Sequence, residues 1–183
     1  MCCTAAYVHQ VKHDWYNTIH PCVPGHEIIG RVVAAGSAVT KFKTGNMMGV
    51  GCMVDACGTC SSCREGKENY YEGPVGWTAT YNVYMKPQNK DFNIFGGYST
   101  DIMAKESFML HIPNALDIKA AAPILCAGIT TYPPMKHWKV GPSQSVAVAG
   151  IGGLGHLAVQ LARALGATVT AVTRTKEKQV EAE

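Results

Sequence analysis

A glycine-rich turn between two apolar segments constrains this chain more than any other feature. It spans Gly150 to Gly155 and reads GIGGLG. The preceding residues, 145–149, have the composition of a short buried strand, and from Leu154 to Leu165 leucine and alanine recur at helical spacing. A tight turn from a strand into a helix directs backbone N–H groups and the positive helix end toward an anion. The G-x-G-x-x-G pattern in this context predicts dinucleotide binding, with a purely structural tight turn as the alternative.

The residues of the turn have separate predicted roles. Gly150 permits the turn, Gly152 lets a pyrophosphate approach the backbone, and Gly155 lets the helix and the strand pack closely. Gly153 and Leu154 complete the predicted coenzyme-binding turn. We therefore expect a strand–turn–helix unit that binds the diphosphate of a coenzyme.

The strand after this helix indicates which nucleotide is bound. Gly166 is placed to end the helix, and residues 168–172 predict a second buried strand. An NAD site usually has Asp or Glu at the end of this strand, to bind the ribose 2′-hydroxyl. Thr173 and Arg174 follow the strand here, and a hydroxyl with a guanidinium suits a 2′-phosphate. The sequence thus favours NADP; the alternative is that Arg174 belongs to an exposed basic helix start.

Length and charge exclude several classes of protein. Apolar residues make up 47% of the 183 residues and charged residues 16%, which is enough to build a core. The net charge of +3 is spread out, so no basic stripe predicts nucleic-acid binding. No apolar segment predicts a membrane span and the first residues do not resemble a signal peptide, so we expect a cytoplasmic protein. Because a dinucleotide fold normally has two halves, we also expect a fragment or a chain that relies on partners.

Three of the eight cysteines form a compact pattern. Cys57, Cys60 and Cys63 are spaced C-x-x-C-x-x-C, which allows three thiolates to surround one tetrahedral zinc ion. A secreted disulfide scaffold is usually smaller and more evenly supplied with cysteine, so metal binding is favoured over disulfides. Residues 64–69 offer no fourth ligand, and Cys52 is the only other cysteine nearby. The sequence leaves the fourth ligand open.

The residues before the turn indicate a β-rich region followed by a helical one. The composition predicts a strand over 28–35, a second that the residues Phe95-Gly96-Gly97-Tyr98 lead into and that runs through Met103, and a third over 108–113. An alanine-rich helical segment follows from Asn114 to Ala127, and Pro133-Pro134 is expected to end the helix. We place the boundary between a β-rich domain, 1–116, and a coenzyme domain, 117–183, at the start of this segment.

A second metal site is suggested by residues far apart in the sequence. His26 and Glu27 precede the first predicted strand, and Cys126 lies near the end of the alanine-rich segment. Imidazole and thiolate are typical zinc ligands. Each residue also has a simpler explanation, since Cys126 can be a small buried hydrophobe and His26 a hydrogen-bonded turn residue.

Taken together, these segments resemble one enzyme family over nearly the whole chain. The chain is similar to the zinc-dependent medium-chain alcohol dehydrogenases, specifically the cinnamyl-alcohol-dehydrogenase-like, NADP-dependent aldehyde reductases. The resemblance implies a mixed fold: a β-rich GroES-like domain, partial at its N-terminus, followed by a truncated α/β Rossmann coenzyme domain. The matching segments, in family order, are VPGHEIIG at 23–30, GVGC at 49–52, the three-cysteine pattern, FGGYS at 95–99, LCAGITTY at 125–132 and the glycine turn through His156.

The resemblance implies a role for each matching residue. It makes His26 and Cys126 ligands of a catalytic zinc, with Glu27 as the adjacent carboxylate that can approach the metal, and His9 the histidine of a proton relay. It also implies that Thr130 lies against the coenzyme. The remaining implied residues are three structural-zinc ligands, Cys57, Cys60 and Cys63, and three residues that face the 2′-phosphate of NADP, Thr173, Arg174 and Lys178.

The chain departs from the family pattern at four positions. The first catalytic-zinc cysteine of the family falls on Thr4, with Cys3 one residue away as a substitute, Ala5 replaces a histidine, and the relay hydroxyl falls on Ala6. The fourth structural cysteine falls on Tyr71. These departures predict weakened metal binding.

Three functions remain open at this point. The first is an NADP- and zinc-dependent alcohol dehydrogenase or aldehyde reductase, a homodimer when its coenzyme domain is complete, acting on aromatic or medium-chain substrates. The second is a zinc-free relative similar to NADPH quinone reductases, which leaves the cysteine pattern unexplained. The third is a catalytically inactive fragment of the family, which the replaced ligand and relay residues favour.

Overall fold

The described part of the protein forms two compact units. The computed structural model describes residues 18–70, 78–81, 84–86, 89–174 and 178, together with Lys12. The N-terminal unit ends at Leu125 and the C-terminal unit begins at Cys126. In the described ranges, no helix is long and apolar enough to cross a bilayer. The coarse prediction of a β-rich GroES-like region followed by part of an α/β region is confirmed, whereas the boundary at 116/117 stays a prediction.

The N-terminal unit is built from short strands. Its central sheet has the order β1–β2–β7, and all neighbours are antiparallel. Two further pairs are β3 with β4 and β5 with β6. The described elements, in chain order, are β1 (Ile28–Arg31), β2 (Met47–Val50), β3 (Met53–Asp55), helix α1 (Ser61–Arg64), a 3-10 turn (Glu68–Tyr70), β4 (Thr78–Ala79), β5 (Tyr84–Lys86), β6 (Asn89–Asn93), a 3-10 turn (Glu106–Phe108), β7 (Met109–His111), helix α2 (Ile118–Ala121) and a 3-10 turn (Ala122–Leu125).

Apolar side chains on one face of the central sheet form the core of this unit. Met48 and Val50 on β2 and Met109 on β7 are buried there with Phe42. Removing these groups from water supplies the main driving force for pairing strands that are far apart in the sequence. The core therefore fixes the register in which Ile28 faces Val50 and Val50 faces Met109.

The C-terminal unit contains the strand–turn–helix–strand predicted from the glycine turn. Its elements are α3 (Ala127–His137), β8 (Ser145–Ala149), α4 (Gly153–Ala164) and β9 (Thr168–Val172). Strands β8 and β9 are parallel and paired from Ser145 with Thr168 to Ala149 with Val172. Both predicted strands and the helix between them are confirmed. The predicted end of the helix at Gly166 is also confirmed. Gly166 follows α4 with a φ of +90°, a conformation that a residue with a side chain adopts only with strain.

The predicted helix stop at Pro133-Pro134 is wrong, because both prolines lie inside α3. Proline removes a backbone donor and normally breaks a helix interior. Both prolines lie on the exposed side, where water can satisfy the carbonyl groups that lose a partner. On the opposite side Met135 is buried against β8 and α4, so tertiary packing overrides the local preference.

Two of the three strands predicted in the first part of the chain differ from the structure. The first strand ends at Arg31 rather than at residue 35, and residues 94–105 form no strand. Ser99 instead donates hydrogen bonds to the carbonyl groups of Gly96 and Asp101, which closes a turn. The third strand is confirmed as β7, and the predicted alanine-rich helix is shorter, from Ile118, with a 3-10 turn around Pro123.

Candidate functional site

The three-cysteine pattern forms one cluster of sulfur atoms. The ligand atoms of Cys57, Cys60 and Cys63, hereafter the cysteine cluster, all lie within 4.8 Å of one another. The sulfurs of Cys57 and Cys63 are 3.9 Å apart. A tetrahedral zinc ion with bonds to sulfur of about 2.3 Å separates two thiolates by about 3.8 Å. The cluster therefore fits zinc, and α1, which begins directly after Cys60, sets the third ligand one turn further on.

Backbone N–H groups point at the sulfurs of this cluster. The amides of Thr59 and Cys60 donate to the sulfur of Cys57 at 3.4 and 3.3 Å, and the amide of Cys63 donates to the sulfur of Cys60 at 3.4 Å. The hydrogen bonds from Thr59 lower the pKa of the Cys57 thiol to about 6, whereas burial raises the pKa of Cys63 to about 11. Donors of this kind stabilise thiolates and orient them toward a metal.

His26 and Cys52 lie just beyond the paired ends of β1 and β2. Each antiparallel partner pair in this sheet, such as Ile28 with Val50, has residue numbers that add to 78. Extending that register by two residues past Ile28 and Val50 sets His26 opposite Cys52, on the same face. Their ligand atoms lie within 4.8 Å of each other. Imidazole nitrogen and thiolate sulfur are the donor types that zinc prefers.

The backbone before His26 is held by the FGGYS segment. Amides of Gly96, Gly97 and Tyr98 donate to the carbonyl groups of Val23, Gly25 and Pro24 at 2.6, 2.9 and 3.0 Å, respectively. Gly25 has a φ of +111°, and a side chain there would approach the backbone of Gly97. His26 itself is only 5% exposed and stacks on the ring of Tyr81. The segment predicted to form a strand thus positions a buried imidazole.

Cys52 is fixed from the other side by Thr80. The amide of Thr80 donates to the carbonyl of Cys52 at 3.1 Å, and its hydroxyl donates to the carbonyl of Gly51. A Cβ atom on Gly51 would lie 2.9 Å from the carbonyl oxygen of Leu125 and 3.9 Å from its carbonyl carbon. That carbon is bonded to Cys126, so the peptide that ends the N-terminal unit lies against the residue preceding Cys52.

The sequence did not assign Cys52 to His26. Its closeness in sequence to Cys57 made it the spare thiol for the cysteine cluster, but it is absent from that group in the described residues. The signal that could have placed it is the shared register, which becomes visible only when the GHEIIG and MMGVGC segments are aligned antiparallel. Glu27 is half-buried beside His26, and burial raises the pKa of its carboxyl.

The glycine turn has the backbone geometry expected of an anion site. Gly150 has a φ of +88°, and its amide donates to the carbonyl of Val172 at 2.8 Å. Gly152 caps α4 with no side-chain hydrogen bond, so no side chain competes for the first amides of the helix. A Cβ atom on Gly155 would overlap the carbonyl oxygen of Gly150, which explains why this position requires glycine.

A cavity of about 500 Å³ opens beside this turn within the C-terminal unit. Thr173, Arg174 and Lys178 line it together with the turn. Arg174 is exposed, and the ammonium group of Lys178 donates to the carbonyl of Ile151 at 2.7 Å. Two cationic side chains and a hydroxyl therefore lie next to the helix start, which is a suitable environment for phosphate groups.

The remaining candidates are less informative. Thr130 is exposed on the first turns of α3, where its amide donates to the carbonyl of Cys126 at 2.9 Å. Leu154 is exposed and Gly153 half-buried at the start of α4. His9 and Cys3 lie outside the described residues.

These features correspond to a known family, to which the chain belongs. Residues 1–114 match the alcohol dehydrogenase GroES-like domain. The fold is that of the medium-chain dehydrogenases, with a GroES-like region followed by the first part of a Rossmann region.

Three similar proteins illustrate the relationship. NADP-dependent alcohol dehydrogenase C 1 of Mycolicibacterium smegmatis is 48% identical over 93% of this chain and 48% of its own length. A cinnamyl alcohol dehydrogenase structure from Sorghum bicolor is 40% identical with a TM-score of 0.89, covering 100% of this chain and 50% of that one. The Helicobacter pylori enzyme CAD, in complex with NADP(H), is 37% identical with a TM-score of 0.88, covering 100% and 51%. The chain thus spans about half the length of the relatives it matches.

Proposed function

We propose that this chain is part of an NADP(H)- and zinc-dependent oxidoreductase that interconverts alcohols and aldehydes by hydride transfer. The observation that carries the proposal is the glycine turn, which joins β8 to the start of α4 beside a cavity with two basic side chains. Two of the relatives support it by name, since one is an NADP-dependent alcohol dehydrogenase and one structure is a complex with NADP(H). The substrate class is aromatic or medium-chain aldehydes and the corresponding alcohols.

The C-terminal unit binds and orients the coenzyme. Backbone amides from Gly152 to Gly155 would bind the diphosphate, and Thr130 on α3 would contact the coenzyme. Arg174 and Lys178, with the hydroxyl of Thr173, bind the 2′-phosphate and so select NADP over NAD. The bound coenzyme supplies the hydride, and the protein aligns it with the reacting carbon.

His26 and Cys126 hold the catalytic zinc in this proposal. When bound, zinc polarises the carbonyl oxygen of the aldehyde as a Lewis acid. Glu27 lies next to His26 and can approach the metal site, and His9 passes the proton to the product oxygen. Because Ala6 has no hydroxyl, a water molecule would bridge His9 and the product oxygen. The cysteine cluster holds a second zinc ion that stabilises its loop.

Turnover in the presence of a chelator tests the proposal. The full-length protein that contains this chain is purified and mixed with NADPH and an aromatic aldehyde, and NADPH absorbance is followed with and without chelator. We expect turnover that the chelator abolishes. Turnover that resists chelation would favour the quinone-reductase-like function, and no turnover together with no NADPH binding would favour an inactive fragment.

A matched pair of variants tests the coenzyme preference. Arg174→Ala should raise the KM for NADPH about 10-fold and leave that for NADH nearly unchanged, because only the 2′-phosphate contacts the guanidinium. Lys136→Ala, an exposed basic residue on α3 away from the cavity, is the control and should change neither. Equal effects on both nucleotides would contradict the assignment of Arg174.

We also propose three coarser features of the intact protein. The domain division at 116/117, a homodimer and a cytoplasmic location follow the sequence prediction. Light scattering of the intact protein tests whether it is a homodimer.

A further inference from the structure

We propose that Cys52 is a ligand of the catalytic metal in this chain, in the place of the cysteine that the family pattern has where this chain has Thr4. The proposal rests on the proposed function and names a residue that the sequence had connected to the other cysteines. It also removes the need for Cys3 as a substitute ligand.

Geometry is the first argument. The sulfur of Cys52 and a ring nitrogen of His26 lie within 4.8 Å, and the β1–β2 register, extended by two residues beyond Ile28 and Val50, sets the two residues opposite each other. His26 and Cys52 continue the paired register of β1 and β2, and strand pairing is rigid compared with a loop. Two of the usual zinc donor types thus converge from the segments that adjoin two neighbouring strands.

The support around Cys52 is the second argument. Its carbonyl accepts a hydrogen bond from the amide of Thr80, which is 3% exposed, and the carbonyl of Gly51 accepts from the Thr80 hydroxyl. His26 is supported in the same way, by the FGGYS contacts that fix the backbone at Gly25. Both donors are therefore oriented by buried contacts from outside the strand pair, which is how ligands of tight metal sites are held.

The chain path supplies the third argument. Gly51 has no side chain, and the carbonyl oxygen of Leu125 lies 2.9 Å from where its Cβ would be. This close packing within the N-terminal unit holds the backbone next to Cys52, and imidazole and thiolate are both donors of zinc sites of the Cys₂His type, in which a fourth position stays open for substrate.

The cysteine cluster already accounts for its own three sulfurs. Cys52 is not a member of that group among the described residues, so assigning it to His26 takes no ligand from the second site. The two sites can therefore be separated by mutation, because each thiol belongs to one of them.

Cobalt titration of the full chain tests the proposal. Co²⁺ gives a thiolate-to-metal absorption for each site, and stoichiometry is measured in parallel by metal analysis after gel filtration. The wild-type chain should bind two ions. Cys52→Ser should lower the affinity of one site at least about 100-fold and leave the cluster site unchanged. Cys22→Ser, the matched control for a half-buried thiol outside both groups, should bind two ions as the wild type does.

Two further variants keep the test decisive. Cys52→Asp retains a zinc donor and should keep the second ion with a weaker thiolate absorption, which a loss of folding would not produce. Cys3→Ser should bind two ions. Retention of both ions by Cys52→Ser, or loss of one by Cys3→Ser, would overturn the role of Cys52 while leaving the proposed activity standing. The proposed activity fails separately, if the wild type binds metal but shows no metal-dependent NADPH oxidation.

Discussion

The two units differ in how far apart in the sequence their functional residues lie. In the C-terminal unit, β8, α4 and β9 follow one another between Ser145 and Val172, and the turn that carries the site is a single stretch of six residues. In the N-terminal unit, the central sheet pairs β2, which ends at Val50, with β7, which does not begin until Met109. The first arrangement can be recognised from local spacing, whereas the second depends on which strands pair and in what register.

Removing metal should have the largest effect on the N-terminal unit. If free zinc is about 1,000 times the Kd of the cysteine cluster, its binding stabilises the folded state by about 4 kcal/mol. Excess chelator should therefore lower the unfolding free energy by about this amount, measured by urea denaturation. Cys60→Ser should produce the same loss without chelator, and Cys22→Ser should not. A stability that is independent of chelator would show that the loop folds without metal.

The glycine turn offers the next largest effect, in the C-terminal unit. Gly155→Ala places a Cβ against the carbonyl group of Gly150, whose backbone cannot move without disturbing the turn, so we expect a loss of about 3 kcal/mol. Gly152→Ala is the control, because no atom lies within 4 Å of its Cβ, and it should cost about 1 kcal/mol or less as a helix cap. Thermal unfolding measures both.

The same pair separates stability from binding. The Cβ of Gly152→Ala would stand where the diphosphate approaches, so this variant should bind NADPH at least about 10-fold more weakly by fluorescence titration although its fold is intact. Unchanged NADPH affinity in Gly152→Ala would contradict the assignment of the turn as the coenzyme site.

The contrast between the two units shows how much of the fold and of the site the sequence alone can predict. The spacing of Gly150, Gly152 and Gly155 predicted the turn, and the apolar segments on either side predicted both strands and the helix, because each of these patterns is local in the sequence. The cysteine cluster was predicted for the same reason, since positions three apart fall on one turn. The pairing of His26 with Cys52 was not predicted, because no local pattern encodes a strand register.

Local preference also failed where distant contacts outweigh it. Pro133 and Pro134 signal a helix stop, but burial of Met135 keeps the helix continuous through them. Gly96 and Gly97 were taken to lead into a strand, yet their amides bond to the segment that precedes His26. In both cases the deciding partner lies in a part of the sequence that gives no sign of the contact.

Gly51→Ala tests the long-range packing of the N-terminal unit. The new Cβ would meet the backbone carbonyl of Leu125 at 2.9 Å, so we expect a loss of about 2 kcal/mol and at least about a 10-fold weaker metal affinity at the His26 site. Gly30→Ala, also in the central sheet, is the control, because its Cβ would meet only the flexible end of Met48 at 3.4 Å. Equal metal affinity in the two variants would show that the Leu125 peptide does not position a ligand.

The smallest effect is expected for a long-range contact at the surface of the same unit. Lys105 and Asp55 form an ion pair at 2.6 Å, with side chains 62% and 37% exposed. Asp55→Asn keeps an oxygen that can accept from the amide of Ala56, so it removes the charge interaction alone, and we expect a loss of about 0.5 kcal/mol that vanishes at high salt. Urea denaturation at low and high salt, in a double-mutant cycle with Lys105→Met, measures the coupling. A coupling energy above about 2 kcal/mol would show that an exposed long-range ion pair contributes substantially to the stability of this unit. A small coupling energy would leave the buried pairing of β1, β2 and β7 as the main long-range contribution.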